Sequence, residues 1–128
     1  MNDISKYIPR HKDDVRRIKE LSKTEYPFYK PILSDLFKWI QDINWPVARE
    51  IVPLLITAGE DVVPHVKLIL NSSDAIWKRW TLSYVMEAMS SKVIGQIKSE
   101  LERIVQYPSN DEVAEEVDVL AKQLLEKI

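Results

Sequence analysis

The chain has 128 residues, of which 45% are hydrophobic, 30% are charged and only two are glycine. This composition excludes a disordered or low-complexity chain and is typical of one domain that buries a core without metals or disulfides. There is no cysteine, which excludes thiolate metal sites, and the formal net charge of −2 argues against a protein built to bind the phosphate backbone of nucleic acid.

Membrane insertion and secretion are not expected from the hydropathy pattern. The longest apolar runs are far shorter than a membrane span, and the first residues contain no apolar signal core. We therefore expect a soluble cytoplasmic protein that has no membrane contact.

The N-terminal segment is predicted to be an arm followed by a short helix. Pro9 fixes its own φ and disfavours helical geometry at Ile8, so residues 7–12 are expected to be extended. The helix should begin at Asp13 or Asp14 and end near Ser22, with its apolar stripe formed by Val15, Ile18 and Leu21.

A polar corner at residues 39–48 (WIQDINWPVA) joins the next two predicted helices. The first of them begins at Pro31 and is predicted to continue to this corner. There Asn44 is expected to cap the second helix, Trp45 to anchor it, and Pro46 to open it, since a proline at the first helical position gives up an N–H that would be unpaired anyway. This helix should end at Gly59, with an internal bend at Pro53 on its polar side.

Four more helices are predicted in the remaining sequence. They cover residues 60–70, residues 75–89 with Asp74 as N-cap, a segment that Ser90 and Ser91 cap and that runs to Val105, and a last segment from Asp111. Residues 75–89 are apolar on two faces, which predicts a central helix covered on both sides. The acidic run from Asp111 to Asp118 is interpreted as a solvated face that the helix dipole favours.

A weak internal repeat suggests the architecture. A shift of roughly 33 residues relates Pro31 to Pro64 and Leu36 to Ile69, and each unit is a helix, a polar corner and a second helix. We predict an all-α fold, a short HEAT-like α-solenoid or right-handed superhelix. The expected single domain, residues 1–128, comprises an arm and helix (1–24) and three hairpins (30–59, 60–89 and 90–128).

Three motifs and the helix layout resemble a family of short bacterial proteins, a domain of unknown function with a HEAT-like α-solenoid fold. The motifs are residues 8–14 (IPRHKDD), the corner at 39–48, and residues 77–80 (WKRW). The Asp-x-Asn-Trp-Pro element of the corner is the most specific of the three. The resemblance implies that the arm around His11 belongs to the domain, and it brings no reaction, ligand or catalytic residue.

Each candidate site also has a structural interpretation. Asp42 and Asn44 beside Trp45 can form a polar pocket with an aromatic wall, but capping residues are strongly preferred at such corners. In WKRW the alternation of aromatic and cationic residues suits nucleic-acid binding. Helical spacing instead favours Trp77 and Trp80 as core residues and makes Lys78 and Arg79 a solvated edge.

No metal, cofactor or catalytic motif is expected. The chain contains only two histidines and two glycines, so neither a His-Glu-x-x-His metal pair nor a phosphate-binding glycine loop can be written. His11 and His65 are far apart in sequence and are more typical of surface or helix-end positions.

The leading functional hypothesis is a protein-binding module that is not an enzyme. Its partner would be another protein, as for an immunity-type protein or an adaptor, and the chain itself would be a monomer or weak homodimer. The candidate binding residues are His11, Asp14, Asp42, Asn44, Trp45 and Lys78.

Two alternatives belong to other functional classes. A nucleic-acid-binding helical repeat requires one basic face formed by Lys12, Arg16, Arg17, Lys19, Lys78 and Arg79. An enzyme requires a single pocket that contains His11, Asp14, Asp42 and Asn44.

Overall fold

The computed structural model describes residues 3–128, and all regular structure in that range is helical. The predicted all-α class is confirmed. The α-helices are α1 Val15–Leu21, α2 Leu33–Lys38, α3 Pro46–Thr57, α4 Val63–Leu70, α5 Ala75–Trp80, α6 Ser91–Gly95, α7 Lys98–Gln106, α8 Asn110–Ala114 and α9 Val117–Leu125. Short 3₁₀ turns lie at Ile4–Tyr7, Lys30–Ile32, Gly59–Val62 and Met86–Ala88, and a π-helical turn lies at Thr81–Val85.

The helices of the described part of the chain do not combine the length and apolar character that crossing a bilayer requires.

The chain forms two compact units, the first ending at Val62 and the second spanning Val63–Ile128. In the first unit, α1 packs against α3 and α2 also contacts α3. In the second unit, α7 packs along α9, and α5 also contacts α9. The buried side chains are almost all aliphatic in both units, as expected for helices that each bury one stripe.

In the first unit, the helix predicted from Pro31 to the corner is shorter than expected. A 3₁₀ turn at Lys30–Ile32 leads into α2, which ends at Lys38. The N–H groups of Trp39 and Ile40 then donate to carbonyls three residues earlier, at 3.1 and 3.2 Å, so the chain tightens into turns. The apolar spacing of residues 33–43 still places Leu36, Ile40 and Ile43 in the core, and for this reason the pattern resembles one helix.

The next helix, α3, begins at Pro46 as predicted and ends at Thr57, two residues before Gly59, and its internal proline lies on the predicted polar side. Pro46 occupies the first helical position, and Pro53 is exposed on the polar face. Thr57 Oγ1 donates to the Pro53 carbonyl at 2.8 Å. Tyr29 is buried beneath this helix, and its hydroxyl donates to the Leu54 carbonyl at 2.8 Å.

In the second unit, two predicted helices are each broken once. The segment from Ser90 is divided into α6 and α7 after Gly95, and the last segment is divided into α8 and α9 at Glu116, whose φ is 59°. The predicted caps Asp74 and Ser90 are confirmed, since their side chains accept from Trp77 N–H and Val93 N–H. The last segment begins at Asn110, with Ser109 as its N-cap, rather than at Asp111.

In the segment from Ala75 to Ala88, the tryptophans that the sequence predicts as core residues are not fully buried. Ile76 is 47% exposed and both Trp77 and Trp80 are only partly buried, whereas Lys78 is 4% exposed. The prediction that Lys78 lies at a solvated edge is therefore wrong. Apolar spacing could not reveal this, because the charge of buried Lys78 is compensated by the Glu112 carboxylate, which is far away in the sequence.

Candidate functional site

The N-terminal arm is an ordered part of the first unit. The Lys12 carbonyl accepts a hydrogen bond from the Val47 N–H at 3.0 Å, which joins the arm to the first turn of α3. The Asp14 carboxylate accepts from the Arg10 N–H at 3.0 Å and forms an ion pair with Arg17 at 2.8 Å. The hydrogen bond from the Arg10 N–H, followed by the charge of Arg17, lowers the pKa of Asp14 below its ordinary value.

The corner before α3 is formed by a local turn and an aromatic contact. Asp42 Oδ1 accepts from the Asn44 N–H at 2.9 Å, a turn in which an aspartate side chain replaces a backbone carbonyl. The rings of Trp39 and Trp45 meet edge to face with centroids 5.6 Å apart. Trp45 is the N-cap residue of α3 and has no side-chain cap bond, so the predicted cap at Asn44 is wrong.

The predicted site residues fall into three local groups. His11 and Asp14 share the arm turn, where the Asp14 N–H donates to the His11 carbonyl at 3.1 Å. Asp42, Asn44 and Trp45 share the corner, and Lys78 belongs to the second unit. A cleft of about 440 Å³ beside α1 is lined by Asp14 together with Lys6, Tyr7, Arg16, Arg17 and Glu20. Residues 3–128 contain no group of three or more His, Asp or Glu side chains that could hold a metal ion.

The strongest concentration of buried charge lies in the second unit, around Glu112. This side chain is 1% exposed, and its Oε2 lies 2.9 Å from Lys78 Nζ. Arg103 donates to both carboxylate oxygens, from Nη1 at 2.6 Å and from Nη2 at 2.8 Å. We call Lys78, Arg103, Ser109 and Glu112 the Glu112 cluster. It connects α5, α7 and α8.

Ser109 completes the cluster through a capping box at the start of α8. Its Oγ accepts from the Glu112 N–H at 3.1 Å, while Glu112 Oε1 accepts from the Ser109 N–H at 2.8 Å. Burial alone would raise the pKa of Glu112. The hydrogen bonds from Arg103, the Ser109 N–H and Lys78, with the Lys78 charge, outweigh burial and lower this pKa to about 2. Glu112 is therefore ionised at neutral pH.

Part of this cluster could have been found from the sequence. The spacing Ser109-x-x-Glu112 ahead of an apolar helix is the signature of a capping box, and the interpretation of residues 111–118 as a solvated acidic face is wrong for Glu112. The pairing of Lys78 with Glu112 spans 34 positions and leaves no local pattern.

Two concave surfaces adjoin the cluster. The first, which we call the α5/α8 groove, has a volume of about 380 Å³ and is lined by residues 73–76 on one side and by Asp111, Ala114 and Glu115 on the other. The second, the Lys78 cavity, has a volume of about 300 Å³, and its lining includes Lys78, Arg103, Ser73, Ser109 and Glu112. Ser73 and Asp111 line both, so the two surfaces are contiguous.

Comparison with known proteins gives a family but no characterised relative. No curated protein matches the chain. The model of one family, described as a domain of unknown function (DUF5071), matches residues 7–125. This match covers the arm, both units and the Glu112 cluster, and the chain therefore belongs to the DUF5071 family.

Proposed function

We propose that the protein is a protein-binding module whose partner docks in the α5/α8 groove. The observation that carries the proposal is the apolar surface at this groove. Ile76 on α5 lines it and is 47% exposed, and Ala75 and Ala114 add apolar surface to the same lining. A large, exposed β-branched side chain that lines a concave surface is more typical of an interaction site than of a solvated face.

The second unit carries most of the exposed large hydrophobic side chains found among the described residues. They are Leu68, Ile76, Tyr107, Val113, Val119 and Ile128, whereas Phe28 is the corresponding side chain in the first unit. Exposed apolar residues that occur singly need no explanation, but their concentration in one unit supports a docking role for that unit.

The Glu112 cluster supports the same proposal because it fixes the two walls of the groove. The Lys78–Glu112 ion pair at 2.9 Å connects α5 directly to α8, and Arg79 reaches Glu115 at 3.7 Å across the same two helices. A groove with fixed walls loses less conformational entropy when a partner binds.

The charges of the groove indicate the chemistry of the partner. Its polar lining consists of serine and three acidic side chains, Asp74, Asp111 and Glu115. Asp74 accepts a hydrogen bond from the Trp77 N–H at 3.0 Å, and the charge of Glu115 is partly neutralised by Arg79. Asp111 is exposed to solvent. A partner segment with an apolar anchor and basic flanking residues is complementary to this surface. An immunity-type or adaptor protein of the bacterial cytoplasm would use such a surface.

Site-specific photo-crosslinking tests the proposal. A photoreactive amino acid replaces Ile76 or Ala114, which both line the groove, and the control replaces Arg49, an exposed residue of α3 in the first unit. We expect one defined adduct from positions 76 and 114 and none from position 49. The crosslinked protein, once purified, should then bind the unmodified chain and lose at least tenfold in affinity with the substitution Ile76→Ser. Equal crosslinking at position 49, or unchanged affinity of Ile76→Ser, would overturn the proposal.

The other two functional classes are less well supported. The basic face required for nucleic-acid binding includes Lys78 and Arg79, but Lys78 is buried against Glu112 and Arg79 is paired with Glu115. The enzyme hypothesis requires a single pocket that contains His11, Asp14, Asp42 and Asn44. Of these four residues, Asp14 is the one that lines the cleft beside α1, and the other lining side chains are mainly charged.

A further inference from the structure

The Lys78 cavity is built around a buried cation. Lys78 is 4% exposed and is one of the residues that line the cavity. Lysine is almost never buried to this extent unless its charge is paired.

The hydrogen bonds of the cluster leave donors on Lys78. An ammonium group carries three N–H donors, and the contact with Glu112 Oε2 at 2.9 Å uses one of them. Glu112 accepts four bonds in total, two from Arg103, one from Lys78 and one from the Ser109 N–H. Four bonds use the accepting capacity of a carboxylate, so the other Lys78 donors are left for a different acceptor.

The charges of the cluster favour an anion. Lys78 and Arg103 are both cationic and share the single carboxylate of Glu112, so the cluster carries one positive charge in excess, and the more exposed of the two cations is Arg103, whose side chain is 42% exposed. Asp111 also lines the cavity and is exposed, so the lining with Asp111 included is formally neutral, which disfavours a ligand that carries two negative charges.

Two serine hydroxyls add neutral donors to the same wall. Ser73 and Ser109 line the cavity. Ser109 Oγ accepts from the Glu112 N–H, and its own O–H proton can still be donated. Hydroxyl and ammonium donors together form short, charge-assisted hydrogen bonds to carboxylate oxygens.

We propose that the Lys78 cavity binds a small free monocarboxylate. Lys78 Nζ and the hydroxyls of Ser73 and Ser109 donate to its oxygens, and Arg103 supplies positive charge at the edge. The volume of about 300 Å³ limits the ligand to a small organic acid. This site adjoins the α5/α8 groove and shares Ser73 and Asp111 with it, but anion binding does not require partner docking, and either can exist without the other.

Titration of the ¹⁵N-labelled protein with acetate at constant ionic strength tests this proposal. We expect saturable shifts of the Ser73, Ser109 and Glu112 amide signals, and smaller shifts with phosphate at a pH where phosphate carries two charges. Ser73→Ala should weaken acetate binding about tenfold, because it removes one hydrogen bond to a charged group. Ser34→Ala, at an exposed position of α2, is the matched control and should leave the affinity unchanged.

The outcomes separate a built site from general anion effects. Shifts that chloride produces equally, shifts that do not saturate, or an unchanged affinity in Ser73→Ala would each overturn the proposal. Because Ser73 is exposed and outside the Glu112 hydrogen bonds, this variant is expected to fold even if Lys78→Met does not. Partner crosslinking at position 76 is measured separately, so a failure of either proposal can be assigned.

Discussion

The corner before α3 and the corner before α8 turn the chain between helices by different means. In the first, the Asp42 side chain accepts a local N–H, Trp39 packs on Trp45, and the N-cap residue makes no side-chain cap bond. In the second, Ser109 and Glu112 form a reciprocal capping box whose carboxylate also binds Lys78 and Arg103. The first corner is aromatic and local, and the second is ionic and connects three helices.

This difference indicates which contact stabilises each corner and whether that stabilisation depends on pH. An aromatic contact at a partly exposed corner contributes a modest stabilisation that depends little on pH. A buried carboxylate that compensates two cations must stay ionised, and loss of its charge leaves those cations uncompensated.

The substitution Glu112→Gln should destabilise the protein by about 3–5 kcal/mol, because it leaves Lys78 buried without its carboxylate. Urea unfolding followed by circular dichroism measures the change in the free energy of unfolding. The matched control is Glu115→Gln, which removes the more exposed pair with Arg79 at 3.7 Å and should cost about 1 kcal/mol or less. Equal costs for the two substitutions would contradict an ionic centre at Glu112.

Acid should remove the contribution of Glu112 to the free energy of unfolding, in the pH window between the ordinary pKa of glutamate and its lowered pKa in the folded chain. The pKa of Glu112 is lowered from 4.5 to about 2 in the folded chain. Its stabilisation is therefore complete above pH 4.5 and is lost as the pH falls through 2, a change of about 3 kcal/mol. The free energy of unfolding of the wild-type protein should fall more steeply across this window than that of Glu112→Gln. Parallel pH profiles would count against the assignment.

The aromatic corner should show a smaller coupling. Trp39→Ala, Trp45→Ala and the double substitution form a double-mutant cycle, and we expect a coupling energy of about 1 kcal/mol from the edge-to-face contact. The coupling should be the same at about pH 7 and about pH 3, in contrast to that of the ionic corner. A coupling that disappears at low pH would show that the Trp39–Trp45 contact depends on the Asp42 carboxylate of the same corner.

The two candidate capping residues should differ as well. Ser109→Ala removes the side-chain bond to the Glu112 N–H and should cost about 1 kcal/mol. Asn44→Ala should cost less than about 0.5 kcal/mol, because the Asn44 side chain is exposed and does not cap α3. Thermal unfolding of the two variants compares them directly, and a larger loss for Asn44→Ala would restore the capping role that the sequence predicts.

Much of the fold can be predicted from local patterns. Apolar spacing predicts the all-α class, and local chemistry places Pro46 at the first position of α3 and Asp74 and Ser90 as N-caps. The predicted helix boundaries are wrong where the apolar spacing continues but the backbone leaves helical geometry. Ile40 and Ile43 remain buried although α2 ends at Lys38. Glu116 likewise interrupts the last helix with a left-handed φ of 59°, without a break in the apolar pattern.

The candidate site is less predictable because its residues meet only in the folded chain. The sequence marks Lys78 as a binding residue, but as part of a tryptophan-flanked motif on an exposed edge. Its burial depends on Glu112, 34 residues away, and on the Arg103 guanidinium that holds the same carboxylate. Short-range patterns describe helices and caps, and they contain no information about which distant charges will pair.

The most direct test of the account is a double-mutant cycle between Lys78 and Glu112. Lys78→Met, Glu112→Gln and the double substitution are compared by the free energy of unfolding. We predict a coupling energy of at least about 2 kcal/mol, with the double variant more stable than the sum of the single losses implies, because it removes both buried charges together. Additive effects within about 0.5 kcal/mol would contradict the claim that this buried pair holds α5 to α8.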